Sequence, residues 1–80
     1  MAASAIAKDL GRLQGLVLRA IVLAGSTGMT DRDGQRLLAL ESHTYTPRRR
    51  ELVLMGKVVD SGERRLPING RCRCVVWVAR

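Results

Sequence analysis

Apolar side chains at Ile6, Leu10, Leu13, Val17, Ala20 or Ile21, and Ala24 recur at steps of three and four, the spacing that lines one face of a helix. That stripe predicts a first helix, with Ser4 as a candidate cap. Gly11 and Gly15 fall within it, each costing about 1 kcal/mol relative to alanine, so residues 1–12 are expected to fray ahead of the packed part. The stretch Gly25-Ser26-Thr27-Gly28 stops the run, and Met29 can reach back into the core. Thr30 then reads as an N-cap, followed by Asp31 and Asp33, whose charges suit the positive end of a helix. A second helix is predicted from about Asp31 to Leu40, with its apolar residues Leu37, Leu38 and Leu40 gathered at the far end.

The third helix has two candidate starts, a cap at Ser42 or the Thr46-Pro47 pair, and the apolar spacing favours Ser42. Tyr45, Leu52 and Met55 then share the core side, and Gly56 closes the helix in the position that favours a left-handed residue. At about 100° per residue, His43, Thr46, Pro47, Arg50 and Leu54 point away from that core, with Arg48 and Arg49 at its flanks. Beyond Gly56, Lys57-Val58-Val59 reads as a strand and Asp60-Ser61-Gly62 as a turn. A second irregular stretch, Leu66-Pro67-Ile68-Asn69-Gly70, precedes a valine-rich returning strand from Cys72 to Val78. Both faces of that strand are apolar, so the pattern leaves open whether Val76 or Trp77 points inward.

These elements fit one domain spanning residues 1–80, of α+β class and mainly α. Three helices followed by a β-hairpin is the element order of a winged helix-turn-helix.

Charge sharpens this picture. The net charge is +7, and twelve of the fourteen cations are arginine, whose planar fork of donors suits phosphates and guanine edges. Residues 1–42 carry a net +1 and residues 43–80 a net +6, so a polyanionic partner is expected to meet the C-terminal half. Double-stranded DNA fits better than RNA or single strands, whose binders commonly use aromatic stacking platforms; Tyr45 and Trp77 are the only aromatic residues apart from His43.

Other chemistries find little support. One histidine, no paired carboxylates at a recognisable spacing and no phosphate-cradling glycine loop leave no basis for an active site, so no enzyme is expected. Cys72 and Cys74 lack the partners for a four-ligand zinc site and read as small apolar core residues, so no cofactor or metal is implied. No apolar run approaches the roughly 20 residues of a transmembrane helix, and no charged region precedes an apolar one at the N-terminus. A cytoplasmic protein is the expectation.

The segment Thr44-Tyr45-Thr46-Pro47-Arg48-Arg49-Arg50-Glu51-Leu52, followed by Gly56, Asp60-Ser61-Gly62, Arg65, Gly70-Arg71 and Val76-Trp77, resembles small winged-helix DNA-binding proteins encoded by phages and prophages. The resemblance covers about Gly28 to Val78. It implies a recognition helix in the major groove and a wing over adjacent backbone, in the setting of transcriptional regulation, replication or recombination in a bacterial or phage-infected cell. Two departures stand out: His43 occupies a place where a small amide residue is expected, and Gly34-Gln35 replace the apolar pair that seats one helix on the next.

On this reading His43, Thr44 and Thr46, near the start of the third helix, reach base edges or phosphates. Arg50 is the first candidate for a guanine contact. Arg48 and Arg49 divide between a phosphate and an internal ion pair with Glu51 or an acid of the second helix. Arg64, Arg65, Arg71 and Arg73 of the wing meet phosphates or a narrow minor groove. The competing reading is a module of the same fold that binds an acidic surface of a polymerase or replication protein. A homodimer, or a host or phage protein partner, is a further expectation, and Leu54 and the N-terminal helix are the candidate seams for dimerisation.

Overall fold

The computed structural model describes residues 11–67 and 70–80. Three helices, α1 (Arg12–Ala24), α2 (Asp31–Leu38) and α3 (Ser42–Leu54), precede an antiparallel hairpin of β1 (Val58–Arg65) and β2 (Cys74–Ala79). This is the winged helix-turn-helix layout, mainly helical with a two-stranded wing. No helix among the described residues is long and apolar enough to cross a membrane.

Val17, Ala20 and Ile21 of the expected stripe are the buried residues of α1. The side chain of Gln14 accepts the Gly11 backbone N–H at 2.9 Å and closes the first turn, a self-made cap. Ser4, Ile6 and Leu10 lie outside the described residues. A single 3-10 turn, Gly25–Thr27, ends the helix. Gly28 follows at φ +70, where a β-carbon would stand 2.6 Å from Val76 Cγ1 and 2.8 Å from the Trp77 carbonyl oxygen. Glycine is needed there on both counts. The close approach lets Met29 exchange two 2.9 Å backbone hydrogen bonds with Trp77, an isolated bridge that adds a third edge to the wing.

Thr30 caps α2 as the sequence indicates, its hydroxyl accepting the Asp33 N–H at 3.1 Å. The helix stops at Leu38, short of the expected Leu40, because Ala39 adopts the left-handed conformation at φ 54. Its N–H meets the Arg36 carbonyl while that of Leu40 meets the Gln35 carbonyl, the double closure typical of a helix C-terminus. The same closure recurs at Gly56, φ 77, with Gly56 N to Val53 O at 3.0 Å and Lys57 N to Leu52 O at 2.9 Å.

Helix α3 starts at Ser42, but its cap is Glu41, one residue earlier than expected. Pro47 falls inside the helix and withholds the N–H that would have met the His43 carbonyl. Tyr45 and Leu52 are fully buried, whereas Met55 is 43% exposed. The third core position goes instead to Val58, which the reversal at Gly56 turns back beneath the helices. Val17, Ile21, Tyr45, Leu52 and Val58 form the central cluster, with Leu38, Leu40, Val53, Trp77 and Ala79 packed against it.

Two expectations for the wing change. Asp60-Ser61-Gly62 does not end β1; the strand continues to Arg65, and the register slips between Asp60, opposite Trp77, and Arg64, opposite Val75. The turn chemistry is present all the same: Asp60 Oδ1 accepts the Gly62 N–H at 2.8 Å and Ser61 Oγ accepts the Glu63 N–H at 3.1 Å. Within a paired strand it produces a bulge instead of a reversal. The returning strand runs from Cys74 to Ala79, later than expected at both ends. Both of its faces are used: Trp77 packs on the core cluster, and Val76 is fully buried against the Gly28 turn.

Candidate nucleic-acid interface

The arginines of α3 have three different environments. Arg49 grips Asp31 at the start of α2 with two hydrogen bonds, Nε to Oδ1 at 2.9 Å and Nη2 to Oδ2 at 2.8 Å. Its guanidinium also lies over the Trp77 ring, 4.1 Å from the centroid, and its side chain is only 14% exposed. This residue ties α2, α3 and β2 together. Arg48 pairs with Glu51 one turn along: Nη2 donates to Oε2 at 3.0 Å, and Nε lies 2.8 Å from Oε1 without an aligned hydrogen bond. Glu51 also accepts from Gln14 Nε2 at 2.6 Å, which joins α1 to α3. That amide bond, followed by the Arg48 interaction, holds the Glu51 carboxyl below the usual carboxylate range. Arg50, 100° around the helix from Arg49, is exposed and makes no ion pair among the described residues.

The wing divides in the same way. Arg64 holds Asp60 at 3.1 and 3.3 Å. The Gly62 N–H, then this guanidinium, keep the Asp60 carboxyl below its ordinary range. Arg65 donates to the Thr27 carbonyl and stands 4.0 Å from Glu63, fastening the wing to the 3-10 turn. Arg71 and Arg73 are exposed and have no carboxylate partner among the described residues.

Three of the unpaired arginines, Arg32, Arg71 and Arg73, line two neighbouring cavities, whereas Arg12, Arg19, Arg36 and Arg80, which also have no ion pair among the described residues, do not. A cavity of about 270 Å³ is lined by Arg32, Pro67, Gly70, Arg71, Cys72 and Cys74. A neighbouring one of about 300 Å³ is lined by Asp31, Arg49, Arg73, Cys74, Val75 and Trp77. They share Cys74, so a single trough follows the approach to β2 between the first turn of α2 and Arg49 of α3. From Arg49, the helical rotation leads past half-buried Thr46 to Arg50 and then His43. The trough and the outward face of α3 are therefore neighbours.

The other sequence candidates are placed as follows. His43 is exposed, with Nδ1 3.3 Å from Glu41 Oε2. Thr44 is half-buried, like Thr46. Arg32 is a trough residue that sequence reasoning missed; its signal is a position two residues past the Thr30 cap, in a first turn whose other charges are acidic. Cys72 and Cys74 are not core residues: Cys72 is exposed, Cys74 half-buried, and both thiols are free. Both line the trough, Cys72 ahead of the paired strand and Cys74 as its first residue. Among the described residues no group of three His, Cys, Asp or Glu side chains is placed to hold a metal ion.

Asp31, Glu41, Glu51, Asp60 and Glu63 each lie within 4.0 Å of a cationic or potentially cationic side chain. Asp33 has no such partner among the described residues, and the unpaired cations of the trough are accompanied by others, Arg12 and Arg19 of α1, Arg36 of α2, Lys57 and Arg80. Comparison with family models, curated proteins and solved structures returns no match for this chain.

Proposed function

We propose that the protein binds double-stranded DNA, with the outward face of α3 in the major groove and the trough against the adjacent phosphates. The setting is regulation of transcription, or replication and recombination, of the phage type that the Thr44–Leu52 segment resembles. The observation that carries this reading is the arrangement of unpaired guanidinium groups: Arg32, Arg71 and Arg73 line a trough that reaches α3 at Arg49, the residue before exposed, unpaired Arg50. A groove-sized helix flanked by cations from two other elements is the arrangement a duplex needs, with phosphate contacts for register and a base-reading helix between them. Arg50 is the reader; Arg32, Arg71 and Arg73 are the clamp. Arg48, Arg49, Arg64 and Arg65 serve as internal ties, which leaves fewer direct contacts than the arginine content suggests.

A salt titration with duplex DNA tests this. Each phosphate neutralised steepens the dependence by roughly 0.9 log unit per log unit of salt. Arg71→Ala and Arg73→Ala should each reduce the slope by about one such increment, and Arg64→Ala should leave it unchanged. Arg50→Ala should weaken a selected cognate site by about 1–3 kcal/mol while affecting random duplex less. Absence of duplex binding at low salt would reject the reading.

A second reading has one observation in its favour: Leu54, 78% exposed, sits on the same outward face of α3 as Arg50. An apolar residue beside a cation suits an acidic protein surface with a leucine-sized pocket. Loss of partner binding on Leu54→Ser, with DNA affinity absent in the parent, would favour it.

A further inference from the structure

We propose that Cys72 and Cys74 form a two-thiolate site for a soft, linearly coordinating monovalent cation of the copper(I) or silver(I) class. Both cysteines line the same cavity of about 270 Å³, open to solvent and flanked by Arg32 and Arg71. Neither is engaged in a disulfide. The Cys74 thiol donates a hydrogen bond to the Cys72 backbone carbonyl oxygen at 3.6 Å.

The donor set selects the ion. Structural zinc takes four ligands and calcium or magnesium takes oxygens, and among the described residues no third His, Cys, Asp or Glu joins the pair. Two sulfur donors alone suit soft cations that accept two-coordinate geometry. Binding breaks two S–H bonds and forms two metal–sulfur bonds. Two protons leave to solvent, and the metal keeps its oxidation state. The site thus passes from neutral to a net charge of −1. Arg32 and Arg71, already beside it, offset that charge. If the DNA reading above holds, the same event places a negative charge between the clamp residues Arg71 and Arg73 and weakens duplex binding.

The test is an anaerobic titration of the full chain with silver(I), followed by native mass spectrometry and by counting thiols open to alkylation. One ion per chain is expected, with both thiols protected together. Cys72→Ser and Cys74→Ser should each weaken binding by about 100-fold or more, the loss that follows when a second attachment is no longer intramolecular. Both positions are solvent-accessible, so serine leaves the fold intact. Equal affinity in the single-thiol variants, or one ion bridging two chains, would overturn the proposal. A chain that binds silver as expected but no duplex would retire the DNA reading and leave the site standing.

Discussion

Gly34 of α2 packs directly on the ring and hydroxyl of Tyr45 in α3, so closely that a β-carbon at position 34 would overlap the phenol. Tyr45 is fully buried, and its hydroxyl has no hydrogen-bond partner. The glycine that stands in place of an apolar seat residue is therefore the seat itself: it provides the space that a large aromatic residue from the next helix fills. Burial first, then the nearby Asp31 charge, pushes ionisation of this phenol well above its ordinary range.

Two substitutions follow from that contact. Gly34→Ala should cost a net 1–3 kcal/mol, roughly the range for overpacking, although alanine is the better helix former by about 1 kcal/mol. Tyr45→Phe removes a buried, unpartnered hydroxyl and should be neutral or stabilising by about 1 kcal/mol. Urea unfolding of both and of the double variant gives the coupling; a Gly34→Ala protein as stable as the parent would contradict the packing.

At Ala39 the backbone is left-handed in a residue that carries a β-carbon, a conformation that costs roughly 1–2 kcal/mol outside glycine. Ala39→Gly should relieve that strain, and after the greater unfolded-state entropy of glycine a gain of about 0.5–1 kcal/mol remains. Thermal unfolding checks the sign. A lower midpoint would show that the methyl group packs usefully.

Arg49 is joined to Asp31 through a two-point fork and stacked on Trp77. Lysine can supply the charge but neither the fork nor the planar stack, so Arg49→Lys should lose about 1–2 kcal/mol. Trp77 is the sole tryptophan, and its fluorescence should shift in the folded variant as the guanidinium leaves its face. Identical emission and stability would remove Arg49 from its place as the tie among the three elements.

Acid should destabilise the fold through Glu51 and Asp60. Both carboxyls are held below their ordinary range in the folded chain, so the stability they contribute is present above the unfolded values, about 4, and is lost as pH falls through the folded ones. Glu51→Gln should flatten this part of the profile. Denaturant midpoints measured from pH 6 down to pH 2 in both proteins provide the check, and parallel profiles would rule Glu51 out as a source.

Much of the fold could be read along the chain because it rests on local chemistry. Val17, Ala20 and Ile21 follow helical spacing, Thr30 caps the helix that begins beside it, Tyr45 and Leu52 share a side one heptad apart, and Gly56 reverses the chain. The errors have equally definite causes. Asp60-Ser61-Gly62 makes the same side-chain bonds in a turn and in a bulge, and only the pairing of Asp60 with Trp77 and Arg64 with Val75 distinguishes the two. Met55 satisfies the helical pattern, but the reversal at Gly56 brings Val58 to the core in its place.

The amino-acid order by itself determined the succession of three helices and a hairpin, the caps that delimit them, and a strong positive charge in the second half, since each depends on residues within a turn or two of one another. Which arginines stay available was decided only by tertiary structure. Asp31 meets Arg49 across 18 residues, Gln14 meets Glu51 across 37, and Thr27 receives Arg65 across 38. A guanidinium is committed by whichever carboxylate or carbonyl the packing brings within hydrogen-bond distance, and that proximity is a property of the assembled core.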